Sequence, residues 1–245
     1  MKSQEKRLRQ DNAAWDQLYA AGSSRYANEG DIGIFYRLPK FVRMFRRYFS
    51  TIHNLEILEV GGGGLGEMYD NLAASFKGET FHYTVTEYSE NAVKVLQKKY
   101  AGNPSVTIVK ADAQNLIFED KSFDIVLAFD VMHHVKNPLK MAQELMRVSR
   151  NHVFMCEACG WSLVRKTVEK TRACREKGER SYTPARMRGF FRGCGFVEIV
   201  PFYFFVPPKV KKKFMWPFIA VSEIGQRIPG LRWQSQSMSV YVRLK

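Results

Sequence analysis

The sequence predicts an α/β fold: a doubly wound, mostly parallel sheet with helices on both faces. Three observations carry that expectation. Short apolar runs alternate with segments whose apolar residues recur at helical spacing, at intervals that suit right-handed strand–helix–strand crossovers. The first apolar run leads directly into "GGGGLG" (61–66), where five of six residues are glycine. The next apolar run closes on an acidic residue, Glu87, about 20 residues beyond Gly66, the separation such sheets keep between a glycine turn and the carboxylate of the second strand.

Taken in order, "LEILEV" (55–60) is short, apolar and closed by glycines, which marks a buried strand. "GEMYDNLAASF" (66–76) has helical spacing and ends near Gly78. "FHYTVTE" (81–87) is rich in β-branched and aromatic residues and is the second strand. "SENAVKVLQKKY" (89–100) begins with Ser89, a good N-cap, and continues at helical spacing. "VTIVKAD" (106–112), "FDIVLAFD" (123–130) and "HVFMCEA" (152–158) are three further strands. Between the last two, "NPLKMAQELMRVS" (137–149) opens with Asn137 as cap and Pro138 at the first helical position. "TPARMRGFFRGCG" (183–195) is a capped helix that opens on Thr183, with Pro184 at its start and glycines at its end, and "FVEIVPFYFFV" (196–206) and "MSVYVRL" (238–244) are two more strands. The chain has no internal repeat and no low-complexity linker.

The glycines need a physical reason, because each adds backbone entropy that folding must overcome. Gly61, Gly63 and Gly66 fit G-x-G-x-x-G, a pattern that permits a tight turn and lets a ligand lie against bare backbone. Glu87 at the end of the second strand suits a sugar diol, since one carboxylate accepts from both hydroxyls. No G-K-[ST] follows the glycines, which excludes a phosphate-cradling P-loop. The residues therefore predict a nucleoside site.

Composition bounds the rest. The chain has 245 residues, 45% of them hydrophobic and 13% aromatic, enough for a real core and inconsistent with disorder. The amino terminus, "MKSQEKRLRQDNAAWDQLY", is charged and does not resemble a signal peptide, and no window is apolar enough to predict a spanning helix. Four cysteines without a secretion signal predict reduced thiols and a cytoplasmic location. The net charge of +14 is uneven: residues 1–50 hold ten basic and five acidic side chains, 51–160 ten and fourteen, and 161–245 eighteen and five. Basic flanks around an acidic middle predict an anionic partner or simply a solvated surface.

"ILEVGGGGLGE", "VTEYSENAVKVL", "VKADAQNLIFEDKSFDIVLAFDVMHHV" and "NPLKMAQELMRVS" together resemble the class I S-adenosylmethionine-dependent methyltransferases, in particular the type 11 branch that acts on small molecules. The resemblance runs from about Leu55 to Cys159. It implies a Rossmann-like α/β/α sandwich that binds S-adenosyl-L-methionine and transfers its methyl group. It further implies that Gly61 and Gly63 lie against the methionine part of the cofactor and that Glu59 orients their loop. By the same resemblance Glu87 holds the ribose, Tyr88 packs on the adenine, Asp112 with the Ala113 backbone reads the adenine edge, and Phe129 and Asp130 close over the methionyl group. Asp124 is expected to be structural. The family's glycine pattern places a third glycine at position 65, where this chain has Leu65 followed by Gly66. Either the loop carries one extra residue or it follows the dinucleotide spacing.

His133 and His134 follow the fourth strand, and an imidazole with an unperturbed pKa near 6.5 suits proton removal from an acceptor. His134 matches the histidine common in the branch and is the better candidate for a general base, with His133 second; the other reading is that a histidine here only shapes the pocket or holds the loop. Cys156 and Cys159 form "CEAC", but Cys174 and Cys194 lack zinc-ligand spacing, so no metal is expected. No D/N-P-P-Y segment follows the fourth strand, which disfavours methylation of an exocyclic base amine.

The flanks carry the expectation about the acceptor. The resemblance divides the chain into a helical cap region at 1–50 and a methyltransferase domain at 51–245, with substrate-covering insertions within 161–236. "IFYRLPKFVRMFRRYF" (34–49) and "PFYFFVPPKVKKKFMWPFIAVSEIGQRI" (201–228) set basic residues among aromatic and aliphatic ones. Phe214, Phe218, Val221 and Ile228 are placed to share a helix face that Pro217 interrupts. Such segments suit an anionic membrane surface, a cap over a hydrophobic acceptor, or a packed helix with a wet lysine face. The expected acceptor is a small or lipid-linked molecule, with a glycan as one form. RNA methylation and a nucleoside-binding module without turnover are the alternatives.

Overall fold

The computed structural model describes residues 36–63, 67–171, 174, 180–203 and 214–245. Within them seven strands form one sheet: β1 (Glu56–Val60), β2 (His82–Glu87), β3 (Val106–Lys110), β4 (Phe123–Phe129), β5 (Ser149–Ala158), β6 (Phe196–Tyr203) and β7 (Ser237–Arg243). Their order across the sheet is β3-β2-β1-β4-β5-β7-β6. β1 to β5 pair in parallel, and β7 lies antiparallel between β5 and β6. Strand order reverses between β1 and β4, the switch point where an open α/β sheet makes its ligand crevice. Pro201 sits on the edge strand β6 where the pairing register shifts, as expected of a residue that cannot donate to a ladder.

Among the described residues seven α-helices accompany the sheet: α1 (Leu38–Phe45), α2 (Glu67–Ser75), α3 (Glu90–Lys99), α4 (Pro138–Val148), α5 (Leu163–Glu169), α6 (Pro184–Phe190) and α7 (Met215–Arg227). The anticipated caps are in place. Ser89 accepts from Ala92 N–H, Asn137 from Lys140 N–H and Thr183 from Arg186 N–H, with Pro138 and Pro184 at the starts of α4 and α6. The expected break at Pro217 does not occur. Pro217 falls in the first turn of α7, where a backbone N–H has no intrahelical acceptor to lose.

Alternation along the strands builds two cores. Ile57, Ile125, Leu127 and Phe154 face one side and meet Phe41 and Phe45 of α1, Leu72 of α2 and Leu96 of α3. Leu58, Val126, Ala128 and Val153 face the other and meet Met141 and Leu145 of α4 and Met187 of α6. Phe41 and Phe45 are essentially inaccessible to solvent, and burial of each contributes about 1.5–3 kcal/mol towards holding α1 on the sheet. Asp124 accepts from Glu56 N–H and pairs with Arg150, a structural role as expected.

Candidate functional site

The site forms where the loops after β1, β2 and β4 converge at the carboxyl end of the sheet. The loop after β1 is pinned first. Gly61 and Gly62 N–H both donate to Thr86 O, at 2.9 and 3.2 Å. A Cβ on Gly61 would lie 2.4 Å from Val131 Cγ2, and one on Gly62 would lie 2.3 Å from Val85 Cγ1. Gly61 also has φ +76°, and Gly63 has φ +67°, in the left-handed region that disfavours side chains. Among the described residues, nothing lies within 4 Å of where a Cβ on Gly63 would be. The backbone is thus wedged between β2 and the loop after β4 and left bare at Gly63. Leu65 and Gly66, which bear on the glycine spacing, lie outside the described residues.

Two carboxylates hold this loop. Glu59 is buried and accepts from Tyr83 O–H at 2.9 Å, which places it beneath the glycines. Glu87 accepts from Gly63 N–H at 2.6 Å and from Tyr88 N–H at 3.0 Å. Burial pushes the Glu87 carboxyl above the ordinary carboxylate range, while backbone N–H groups of Gly63, Tyr88 and Ser89 act in the opposite direction. Tyr88 is half exposed beside it. Asp112 spends one oxygen on a local turn, accepting from Gln114 N–H at 2.8 Å, and both it and Ala113 remain partly exposed.

The loop after β4 completes the site. Asp130 has φ +53°, a strained conformation for a non-glycine residue and one that concentrates at functional sites. Its carboxylate forms an ion pair with Arg37, just ahead of α1. Phe129 turns its ring edge-on to Phe41, 4.3 Å between centroids, and so packs into the core under α1. His133 is buried and its Nδ1 lies 2.7 Å from Glu157 Oε2. The other oxygen of Glu157 accepts from Val131 N–H at 2.9 Å and Met132 N–H at 2.6 Å. Burial lowers the His133 pKa, but the Glu157 charge and hydrogen bond, with Asp130 adding, leave it raised overall. The His134 ring lies 4.0 Å from that of His133.

The residues expected from sequence lie at the carboxyl ends of β1 to β4 or in the segments that follow them, with Glu59 and His133 buried and the Phe129 ring facing the core. Four participants were not anticipated: Gly62, Val131, Arg37 and Glu157. Glu157 had a visible signal, a lone acid in the otherwise apolar run "VFMCEA". Asp130, His133 and Glu157 also place ligand atoms within 4.8 Å of one another. Arg37 pairs with one oxygen of Asp130, two backbone N–H groups donate to Glu157 Oε1 and His133 meets Glu157 Oε2, so the three side chains belong to one hydrogen-bonded cluster. The thiol of Cys156, which the Arg37 guanidinium approaches at 3.7 Å, is pushed up to about 12 by burial and is not poised to ionise.

Residues 58–156 match the family model of a methyltransferase domain. Over 113 residues the chain is 32% identical to a demethylmenaquinone methyltransferase from Clavibacter sepedonicus, covering 45% of this chain and 44% of that one. Over 114 residues it is 33% identical to phthiotriol/phenolphthiotriol dimycocerosates methyltransferase 1 from Mycobacterium ulcerans (strain Agy99), covering 44% and 40%. The matches thus span less than half the length of these curated relatives. The fold is similar to that of magnesium protoporphyrin IX methyltransferase from Synechocystis PCC 6803 with bound SAH, at a TM-score of 0.63 and 13% identity, over 95% of this chain and 99% of that one.

Proposed function

We propose that this chain, which carries a class I S-adenosylmethionine-dependent methyltransferase domain, methylates a small apolar or lipid-linked acceptor presented at an anionic surface. The observation that carries the reading is the junction of bare Gly63 backbone with the Glu87 carboxylate. This junction fits the cofactor on chemical grounds. The crevice offers carboxylates at Glu87 and Asp112 and unobstructed backbone at Gly63, which suits hydroxyls, an amine and positive charge and repels phosphate. When bound, S-adenosylmethionine supplies an electrophilic methyl group on a sulfonium with a good leaving group.

The chain's own residues then have three tasks. Glu87 would hold the ribose, Tyr88 would cover the adenine, and Asp112 with the Ala113 backbone would read its edge. Glu59 and the wedged Gly61 and Gly62 keep the loop in register for that contact. The loop bearing Asp130, His133 and His134 would line the methyl end, where the histidine pair is the source of a base for an acceptor hydroxyl.

Support for an apolar acceptor comes from α7. Trp216, Phe218, Val221, Ile224 and Ile228 are all exposed, while the opposite side is tied down, with Tyr36 reaching Ser222 and Lys40 reaching Glu223 at 2.8 Å. An exposed apolar face of this extent marks an interaction surface. The sequence puts Lys209, Lys211, Lys212 and Lys213 within five residues of Phe214, so cationic charge is within reach of the same face whatever path those residues take. Apolar residues flanked by lysines suit peripheral contact with anionic lipid. No helix among the described residues is long and apolar enough to cross a membrane. Two of the relatives are named as a demethylmenaquinone methyltransferase and a phthiotriol/phenolphthiotriol dimycocerosates methyltransferase, which favours the same acceptor class.

The test is transfer of labelled methyl from S-adenosylmethionine to three substrate pools: lipid extract in anionic vesicles, soluble metabolites, and RNA. Label in the organic phase with matching S-adenosylhomocysteine release supports the proposal. Label confined to RNA, or no release with any pool, overturns it in favour of an RNA enzyme or a binding module.

A further inference from the structure

Among the titratable side chains of the crevice, Glu157 is the one buried completely. It stands at the end of β5, and both its oxygens point into the loop after β4. Oε1 receives Val131 and Met132 N–H, while Oε2 meets His133 Nδ1. A loop clamp needs only the first pair of bonds. The third bond does something chemically distinct, because an ionised carboxylate is acceptor-only and compels its imidazole partner to carry a proton on Nδ1. The remaining nitrogen, Nε2, is then the basic one.

Building on the methyltransferase reading above, we infer that Glu157 is a positioning residue for methyl transfer: it holds His133 in the Nδ1–H tautomer, so that Nε2 accepts the proton of the acceptor. The electron pair of the broken X–H bond becomes the new bond from X to the methyl carbon. The electron pair of the broken carbon–sulfur bond returns to sulfur as a neutral thioether, and the proton resides on an imidazolium stabilised by Glu157. Charge balances throughout: a sulfonium cation is consumed and an imidazolium cation is formed. The assignment moves the base from His134, favoured by family resemblance, to His133, which the structure ties to a buried carboxylate.

The groups that face His133 are Glu157 on β5, Asp130 and His134 on its own loop, and Arg165 on α5, with Arg37 neutralising Asp130. Tyr182 O–H braces the same loop by donating to Met132 O at 3.1 Å. Glu157 is the charged group in direct contact with the ring, so the imidazolium formed during transfer is favoured.

Glu157→Gln separates this role from simple clamping. The two backbone donors select the amide oxygen, which turns the amide nitrogen towards His133. Nδ1 must then accept, and the ring proton moves to Nε2, the wrong tautomer for a base. Nitrogen-15 spectra of histidine-labelled protein, taken at alkaline pH where His133 is neutral, should show Nδ1–H in the parent and Nε2–H in the variant. Turnover should fall by about 100-fold or more, with cofactor affinity from calorimetry unchanged within about threefold. A reversed tautomer with unaltered turnover would reduce Glu157 to a clamp. Should the variant not fold, the parent alone decides: an Nε2–H tautomer, or a pH–rate midpoint that does not coincide with the His133 titration, overturns the inference. Neither the tautomer nor the titration needs cofactor. Loss of cofactor binding in the parent would instead sink the methyltransferase reading on which the inference rests.

Discussion

Replacing Gly61 with alanine tests whether the loop after β1 is wedged as described. Two costs add. The first is conformational, because Gly61 has φ +76° and a side chain in the left-handed region costs about 1–2 kcal/mol. The second is steric. The new Cβ would sit 2.4 Å from Val131 Cγ2, well inside the roughly 3.5–4.0 Å of an unstrained carbon–carbon contact, and overpacking of this kind costs about 1–3 kcal/mol. The sum, about 2–5 kcal/mol, is a large share of the roughly 5–15 kcal/mol that stabilises a typical domain. A double-mutant cycle separates the parts. Val131→Ala removes the offending methyl and should recover the steric share, while the backbone share persists. Gly63→Ala is the control: φ is +67° but no atom lies within 4 Å, so it should cost only about 1–2 kcal/mol and show no coupling to position 131. Urea unfolding of the parent and five variants, the three single substitutions and the two doubles with Val131→Ala, reads all these values. A Gly61→Ala cost below about 1 kcal/mol, or no coupling to Val131, would refute the wedge.

Glu87→Ala should weaken S-adenosylmethionine binding by roughly 10- to 100-fold, the value of one charged hydrogen bond of about 1.5–3 kcal/mol. Near-parental affinity in calorimetry would remove Glu87 from the ribose site. The raised pKa of His133 makes a signed prediction about stability. Its contribution is fully present below about pH 6.5, the unfolded value, and is lost as pH rises through the higher folded value. His133→Gln should therefore flatten the urea midpoint across that window, and an unchanged pH profile would contradict the assigned shift. Trp216→Glu combined with Ile224→Glu should abolish flotation with anionic vesicles while leaving the melting temperature within a few degrees, since both side chains are exposed. Undiminished flotation would move the membrane contact away from α7.

Much of the fold was legible because it rests on local signals. Alternating apolar strands, Ser89, Asn137 and Thr183 as caps, and prolines at helix starts are all properties of adjacent residues, and each corresponds to an observed element. The place of Glu87 at the end of β2 was legible for a similar reason, since its distance in sequence from the glycines is set by one crossover. What escaped depends on pairing across the chain. The need for glycine at 62 comes from Val85, and the wedge at 61 from Val131. Arg37 is 93 residues from Asp130, and Glu157 is 24 residues from His133, so no local periodicity connects either pair. Family resemblance ranked His134 above His133 because it registers residue type at a position. Only the sheet, by placing the end of β5 beside the end of β4, shows which imidazole meets a buried carboxylate. Pro217 was misjudged because its effect depends on where the helix begins, and α7 begins two residues earlier.

Calorimetric titration of S-adenosylmethionine into the purified chain, beside Glu87→Ala, tests the central claim most directly. The account predicts one equivalent bound by the parent and severe weakening in the variant. Absence of binding by a folded parent, or equal binding by both proteins, would contradict it.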